Sequence, residues 1–414
     1  MKKKKRQEDP EGGFDFKDFE KEALGKLRAG KGLIGPGGAL TGLIQHLMET
    51  GLDEEMNLHL ETDRQNGNRR NGHTNKTLKT GLGPIEISPP RDRDGTFEPE
   101  LVPKWGRTIT PELEVQILEL YSIGNSYRDI SVHLQKMYGV RYSEAQISTI
   151  TDRIWEDVLK WQNRALKALY PFVFLDAIHF KIREDGHVKT RAIYTVLGVD
   201  MEGERDVLGL YVGNAEGANT WGRILHDIKD RGVEDVLIFC VDGLPGFSEV
   251  IEEVFPISMV QRCVVHMIRT SLRFVSYKDY KAICKDLRKV YGSGSLQEAE
   301  QALKGFGATW DPKYPEIREK WERYWMELST FFAFPAAIRR VIYTTNSVES
   351  LHRHMRKVTK SKGAFVSEKA LLKQLFLTLE RNRSSWARKV FSWPTIARVL
   401  IREFNVRIAK HHGL

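Results

Sequence analysis

At 414 residues the chain exceeds one ordinary core and points to roughly two to four domains. Its 41% apolar and 29% charged residues describe a globular protein, and no apolar run reaches the ~18 residues that span a bilayer, which argues against a helical membrane protein. The net charge of +9 is gathered at Lys2–Arg6, Arg64–Lys79, Arg353–Lys362 and Arg381–Arg388, as suits a phosphate backbone; three cysteines without a CxxC pair exclude a disulfide scaffold and an ordinary zinc finger.

Residues 1–38 are charged and then rich in glycine (Gly30, Gly32, Gly35, Gly37, Gly38), and are expected to form a loose basic arm. Residues 39–108 open with a helix over 39–62, where Leu40, Leu43, Ile44 and Leu47 follow helical spacing. They continue as a small basic module: Ile85–Ser88 alternates as a short strand into Pro89-Pro90, and Arg91–Gly95 makes a charged turn. Residues 109–165 read as helices. Thr110 caps the first with Pro111 at its start, a second runs from near Ser126 to Gly139, and a third opens at Ser143-Glu144-Ala145-Gln146. Three short helices with a glycine turn before the last resemble a helix-turn-helix, whose groove-facing residues would be Gln146, Ser148 and Thr149. A plain helical bundle at a subunit interface fits the same pattern.

Residues 166–263 alternate between strand and helix. Phe172–Leu175 is a buried strand ending at Asp176, followed by strands at Arg191–Val199 and Val207–Val212. A helix over Thr220–Arg231 carries Trp221, Ile224, Leu225 and Ile228 on one face. Val236–Val241 is an apolar strand ending at Asp242-Gly243, and Ile257–Val260 is a fifth. The order predicts a mixed α/β sheet that starts with an antiparallel meander. Residues 264–340 are helical, with an apolar stripe of Trp321, Tyr324, Trp325, Leu328, Phe331 and Phe332. They are expected to split the α/β domain as a separate all-helical lobe. Residues 341–414 resume it with a helix over 346–358 and closing helices through Leu371–Arg381 and Ile396–Ile408.

Strand ends are where open α/β sheets bind ligands, and two carboxylates brought together there need a cation. Oxygen donors of this kind suit Mg²⁺ or Mn²⁺, and a pair of such ions serves phosphoryl transfer. An aspartate that merely ends a strand is the plainer reading of either residue. Glu349 is equally open: Asn346 and Glu349 have capping-box spacing, and the same spacing points Glu349 back towards the sheet. Cys263 and His266 form a CxxH pair, too few ligands for a closed zinc site; a buried cysteine beside a hydrogen-bonding histidine is the simpler account. Trp321 and Trp325 have the spacing to stack an unpaired base, but their stripe favours core packing. His179, three residues after Asp176, faces the other side of the strand and is read as structural.

Several motifs resemble the mutator-type transposases of bacterial insertion sequences, a family with a DDE active site on an RNase H-like fold. They are Arg69-Arg70-Asn71-Gly72, Pro90–Phe97, Leu175-Asp176-Ala177-Ile178, Val241–Phe247, Cys263–His266 and the long block Phe331–Phe365 with Tyr343–Ser350 inside it. The resemblance covers the chain from about residue 40. It implies Asp176, Asp242 and Glu349 as catalytic and metal-binding triad with two Mg²⁺ or Mn²⁺ ions, and a helical DNA-binding region before the catalytic domain. It also implies hydrolytic nicking that frees a 3′-hydroxyl, then attack of that hydroxyl on another phosphodiester. His266 is a candidate for orienting water or touching the scissile phosphate. Arg69, Arg70, Arg91, Arg93, Gln146, Ser148, Thr149, Arg353, Arg356, Lys357 and Lys360 are the candidate DNA contacts. The implied partners are terminal inverted repeats, target DNA and a second copy of the chain, in a bacterial cytoplasm and on its nucleoid. The chain departs from the family at Tyr324, where Asn is commoner, at Val366, where Pro is, and at His352, which replaces the usual Asn in Leu-Asn-Arg and is expected to alter a DNA contact. A nuclease that does not join, and a DNA-binding regulator that does not cut, are the competing readings.

Overall fold

The computed structural model describes residues 15–33, 37–62, 67–80, 83–104, 111–213, 218–243, 246–342, 346–360 and 362–412, with the backbone alone at Pro111, Glu112, Ala218, Asn346, Ser347 and His412. Two compact units meet in sequence at Arg153 and Ile154, inside the stretch 109–165 expected as one region.

The first unit begins with a helix, α1 (Phe16–Arg28), where a loose arm is expected. Asp15 makes the difference, because its carboxylate caps the amides of Lys17 (2.8 Å) and Asp18 (3.3 Å). Residues 1–14 and Gly35 lie outside the described residues. The helix α2 (Thr41–Thr62) is followed by β1 (Arg70–His73), β2 (Lys76–Thr80), β3 (Gly83–Ile87) and β4 (Pro90–Asp92). β2 and β3 form an antiparallel hairpin, β1 pairs with β4, and Leu52, Leu78, Ile85, Ile87 and Val102 close a small core. Three helices end the unit: α3 (Pro111–Ser122), α4 (Tyr127–Tyr138) and α5 (Glu144–Asp152). Ser126 and Ser143 each open a capping box, and Gly139 ends α4 at φ 67°, a left-handed geometry that glycine adopts without strain. Thr110 lies outside the described residues.

The second unit opens with α6 (Ile154–Gln162) and builds a sheet from β5 (Leu169–Glu184), β6 (His187–Val199), β7 (Arg205–Gly213), β8 (Asp235–Val241) and β9 (Met259–Arg262). The spatial order is β7-β6-β5-β8-β9. β5, β6 and β7 run antiparallel, whereas β8 and β9 continue parallel to β5. The helices α7 (Ala218–Asp230) and α8 (Phe247–Val254) connect the later strands. They cover one face of the sheet, where Trp221, Ile224, Leu225 and Phe247 pack on Val173, Leu175 and Phe239. On the other face lie Phe174, Ile178, Leu197 and Cys240.

Asp176 does not end its strand. β5 runs on to Glu184, paired with β6, and turns at Asp185-Gly186 with both residues at positive φ. Along that extension Ile178, Phe180 and Ile182 are buried while His179, Lys181 and Arg183 are exposed, a half-buried strand whose charged side resembles loop sequence. What does stop near Asp176 is the parallel neighbour, since β8 ends at Val241 opposite Leu175.

Helices α9 (Val264–Ser271), α10 (Tyr277–Tyr291), α11 (Leu296–Trp310), α12 (Pro315–Arg323), α13 (Trp325–Ser329) and α14 (Ala336–Ile342), with a 3₁₀ turn at Thr330–Ala333, occupy 264–342. Among the described residues this stretch adds no strand to the sheet. Nor is its core separate, as a lobe of its own would require. Ile283, Leu287, Phe306 and Trp321 belong to the same apolar cluster as Phe174, Ile178 and Leu197 of the sheet. The closing helices α15 (Asn346–Thr359), α16 (Glu368–Arg381), α17 (Arg383–Trp386), α18 (Trp393–Glu403) and α19 (Asn405–His412) also feed this cluster, through Leu351, Met355, Leu375 and Leu400. Among the described residues no helix is long and apolar enough to cross a membrane.

Candidate active site

The parallel register of β5 and β8 builds the first half of the site. Leu175 sits opposite Val241, so the next residues, Asp176 and Asp242, leave neighbouring strands side by side. Adjacent strands lie about 4.8 Å apart, which sets the scale of their separation. One oxygen of Asp176, Oδ1, accepts the amide hydrogen of Ala177 at 2.8 Å. Behind Asp242 the chain turns at Gly243 with φ 96°, where any side chain would be strained and a Cβ would collide with the Arg262 guanidinium. Arg262 is nearly fully buried: Nη1 donates to the Gly243 carbonyl (2.6 Å), Nε to Glu327 (2.6 Å), and the guanidinium lies 3.7 Å from the centre of the Tyr324 ring. Tyr324 thus holds the arginine that backs the second aspartate.

The third carboxylate arrives on α15. Val348, Leu351, Met355 and Val358 are buried, so Glu349, Arg353, Arg356, Lys357 and Lys360 fall towards the outer side of the helix. Whether Asn346 caps α15 with its side chain lies outside the described residues. Glu349 Oε1 accepts from Arg269 Nη2 at 2.8 Å.

These residues converge. Asp176, Asp242 and Glu349 line one cavity of about 510 Å³ together with Gly243, His266, Arg269, Arg353 and Arg356. The donors are carboxylate oxygens of the type that magnesium and manganese prefer. Among the described residues, however, no three His, Cys, Asp or Glu side chains stand close enough to form a ready cage, and Glu349 is turned towards Arg269. The donor chemistry therefore fits a divalent cation at an open site. The Cys263 sulfur caps α9, accepting the His266 amide hydrogen at 3.4 Å. Burial lowers the His266 imidazole below its ordinary pKa, opposed by the nearby charges of Asp176 and Glu349.

The family model for "Transposase, Mutator family" matches residues 20–389. The chain belongs to the Mutator family of transposases. It is 41% identical over 382 residues to the transposase for insertion sequence element ISRM3 of Rhizobium meliloti (strain 1021), covering 91% of this chain and 95% of that protein. A probable insertion-sequence transposase of Corynebacterium diphtheriae is 44% identical over 291 residues, covering 70% of this chain and 84% of the relative. The IS905 transposase of Lactococcus lactis subsp. lactis (strain IL1403) is 35% identical over 314 residues, covering 76% and 80%.

Against this Mutator-family background, the other residues singled out in the sequence divide clearly. Arg353 and Arg356 line the cavity; Lys357 is exposed farther along α15, and Lys360 just past its end. Trp321 is 1% exposed and donates to Ser271 Oγ at 3.0 Å, which makes it core. Trp325 packs partly buried against the same cluster. His179 is exposed on the side of β5 away from Asp176. In the first unit Arg69, Arg91 and Arg93 are exposed, whereas Arg70 is engaged by Asp53 (2.6 Å) and Asn57 (2.9 Å) on α2. Gln146 lies in a groove with Arg128, Lys136 and Arg141. Ser148 and Thr149 do not line it: Ser148 is half-buried and the Thr149 hydroxyl donates to the Ala145 carbonyl at 3.0 Å. His352, expected to bear on a DNA contact, is buried and meets Thr195 and Asp176 instead. Sequence reasoning passed over Arg262, Arg269 and Thr195. Only Arg269 left a signal, three residues after His266 on the same helix face.

Proposed function

We propose that this chain cuts and joins DNA strands at the ends of an insertion sequence, with Asp176, Asp242 and Glu349 as its metal-binding triad. The observation that carries the reading is convergence: three carboxylates from β5, the end of β8 and α15 line one cavity with three arginines. When bound, two Mg²⁺ or Mn²⁺ ions would activate the attacking oxygen and stabilise the leaving one. The protein groups have the remaining tasks. Arg353 and Arg356 neutralise the scissile phosphate and orient it, and His266, its basicity lowered by burial, orients the attacking water without carrying a competing charge. In the first displacement a water oxygen attacks phosphorus and the 3′-oxygen leaves as a hydroxyl. In the second, that hydroxyl attacks a target phosphodiester and the target strand's 3′-oxygen leaves as a hydroxyl, so no protein nucleophile is needed.

The sheet supports an RNase H-like reading of the catalytic domain, because an antiparallel meander is extended by two parallel strands. The short capped helices α4 and α5, with the groove of Arg128, Lys136, Arg141 and Gln146, support a helix-turn-helix that binds the terminal inverted repeats. Arg69, Arg91 and Arg93 would add backbone contacts. Two ends must be handled together, which a twofold dimer does simply; the place of action is the bacterial nucleoid.

The test is a strand-transfer assay with an oligonucleotide carrying the terminal repeat, supercoiled plasmid and Mg²⁺. Joined product is expected. Hydrolysis without joining would make the protein a nuclease, and binding without cleavage a regulator; either result overturns the proposal.

A further inference from the structure

His352 is 1% exposed, yet it stands on the helix that brings Glu349 to the cavity. Positions three apart on a helix share a side, so the residue after Glu349 along that side is directed into the sheet. There the ring meets two partners. Nε2 lies 3.0 Å from Thr195 Oγ1, and Nδ1 lies 3.3 Å from Asp176 Oδ2. Thr195 is the residue on β6 paired directly with Asp176 on β5. Direct cross-strand partners project from the same face of a sheet, so the imidazole is inserted between two neighbours that the backbone register already places together.

A buried ring nitrogen without a partner would cost free energy, and here both nitrogens have one. The Thr195 hydroxyl can donate to Nε2, which leaves the ring hydrogen on Nδ1, facing Asp176. The Asp176 carboxylate then has a neighbour at each end: Oδ1 accepts its neighbour's amide hydrogen at 2.8 Å, and Oδ2 lies 3.3 Å from the ring's Nδ1. We propose that His352 is the positioning residue for Asp176, fixing the rotation of its carboxylate, with Thr195 orienting the imidazole in turn. The same residue couples helix to strand, since it shares α15 with Glu349. The inference rests on the reading of Asp176 as a metal ligand. Outer partners of metal ligands characteristically change metal affinity by about 10–100-fold when removed.

The experiment measures Mn²⁺ binding to the full-length protein by electron paramagnetic resonance, with thermal unfolding as a check on the fold. Asp176→Asn should lose the ion. His352→Leu fills the space without a donor and should bind Mn²⁺ about 10-fold more weakly. His352→Asn places its amide nitrogen where Nδ1 lies, and should stay within about 3-fold of wild type. His352→Gln places its amide where Nε2 lies, reaching Thr195 but not Asp176, and should resemble His352→Leu. Thr195→Val added to His352→Leu should cost nothing more, since the ring through which Thr195 acts is already gone. If Asp176→Asn loses Mn²⁺ while His352→Leu keeps wild-type affinity, His352 only packs and the inference is wrong. If Asp176→Asn binds as wild type, the reading of the site fails first and the inference with it. Should His352→Leu not fold, the Asn and Gln variants decide, and equal affinities for those two overturn the proposal.

Discussion

Asp176 and Asp242 are held by the sheet, whereas Glu349 is held by another side chain. Asp176 lies within a strand paired on both sides, and the turn after Asp242 is locked by a buried arginine bound to Gly243 and Glu327. Glu349 stands in the first turn of a helix, and its partner Arg269 has a side chain 62% exposed. An ion pair that open to solvent contributes about 0.2–1 kcal/mol. Two carboxylates are therefore fixed by backbone register, and the third is held by an ion pair open to solvent. Under the proposed function, such a site would be preorganised for a phosphate and adjustable to its ions.

The largest expected effect comes from removing a carboxylate. Asp176→Asn, Asp242→Asn and Glu349→Gln should each lower Mg²⁺-dependent cleavage by about 10³-fold or more, because the three act as one unit. Filter binding should show DNA affinity little changed. A variant that cleaves like wild type removes its residue from the triad. Breaking the support behind the fixed pair comes next. Arg262→Ala leaves Glu327 without its buried partner and should destabilise the protein by about 3 kcal/mol in urea unfolding. A loss under about 0.5 kcal/mol would place the rigidity of the Asp242 turn elsewhere.

Loosening the adjustable carboxylate should do far less to stability. Arg269→Gln should shift the melting temperature by no more than about 2 °C. It should also lower the Mg²⁺ concentration needed for half-maximal cleavage, since a competing cation is gone. A raised requirement would mean that Arg269 serves the phosphate more than it restrains Glu349. A separate effect lies away from the carboxylates, at Lys362. Burial pushes its ammonium down to about 8, although Nζ donates to Gln374 at 2.7 Å. The unfolded chain holds that proton up to the ordinary lysine value near 10.5. Charged burial therefore weakens the fold below pH 8, and stability is regained as pH rises from about 8 towards 10.5. Lys362→Met should be the more stable protein at pH 7, with the difference shrinking across that window.

The convergence of Asp176, Asp242 and Glu349 on one cavity was legible because each aspartate follows an apolar run and the family motifs surround all three acids. The extent of β5 was not. From Ile178 to Arg183 buried and exposed residues alternate, and the Asp185-Gly186 hairpin signal must be weighed to continue the strand. The buried network was hidden for a different reason. Thr195 and His352 are 157 positions apart, and only strand register together with helix docking brings them to Asp176. Arg262 is likewise explained by its partners, Gly243 and Glu327, rather than by its neighbours in sequence. Helix α1 was obscured by glycine and charge, although Asp15 before Phe16 carries its capping signal. The helical segment adds no strand among the described residues and shares the sheet's apolar cluster, which an apolar stripe read in sequence does not reveal.

The extension of β5 beyond Asp176 has a mechanical consequence. Phe365, just past α15, is stitched to it: the Arg183 amide donates to the Phe365 carbonyl at 2.7 Å, and the Phe365 amide donates to Lys181 at 2.8 Å. The strand that bears one carboxylate thus grips the far end of the helix that bears another. The chain carrying α15 is therefore tied to β5 twice, by His352 beside Asp176 and by the clasp beyond the helix's C-terminal end.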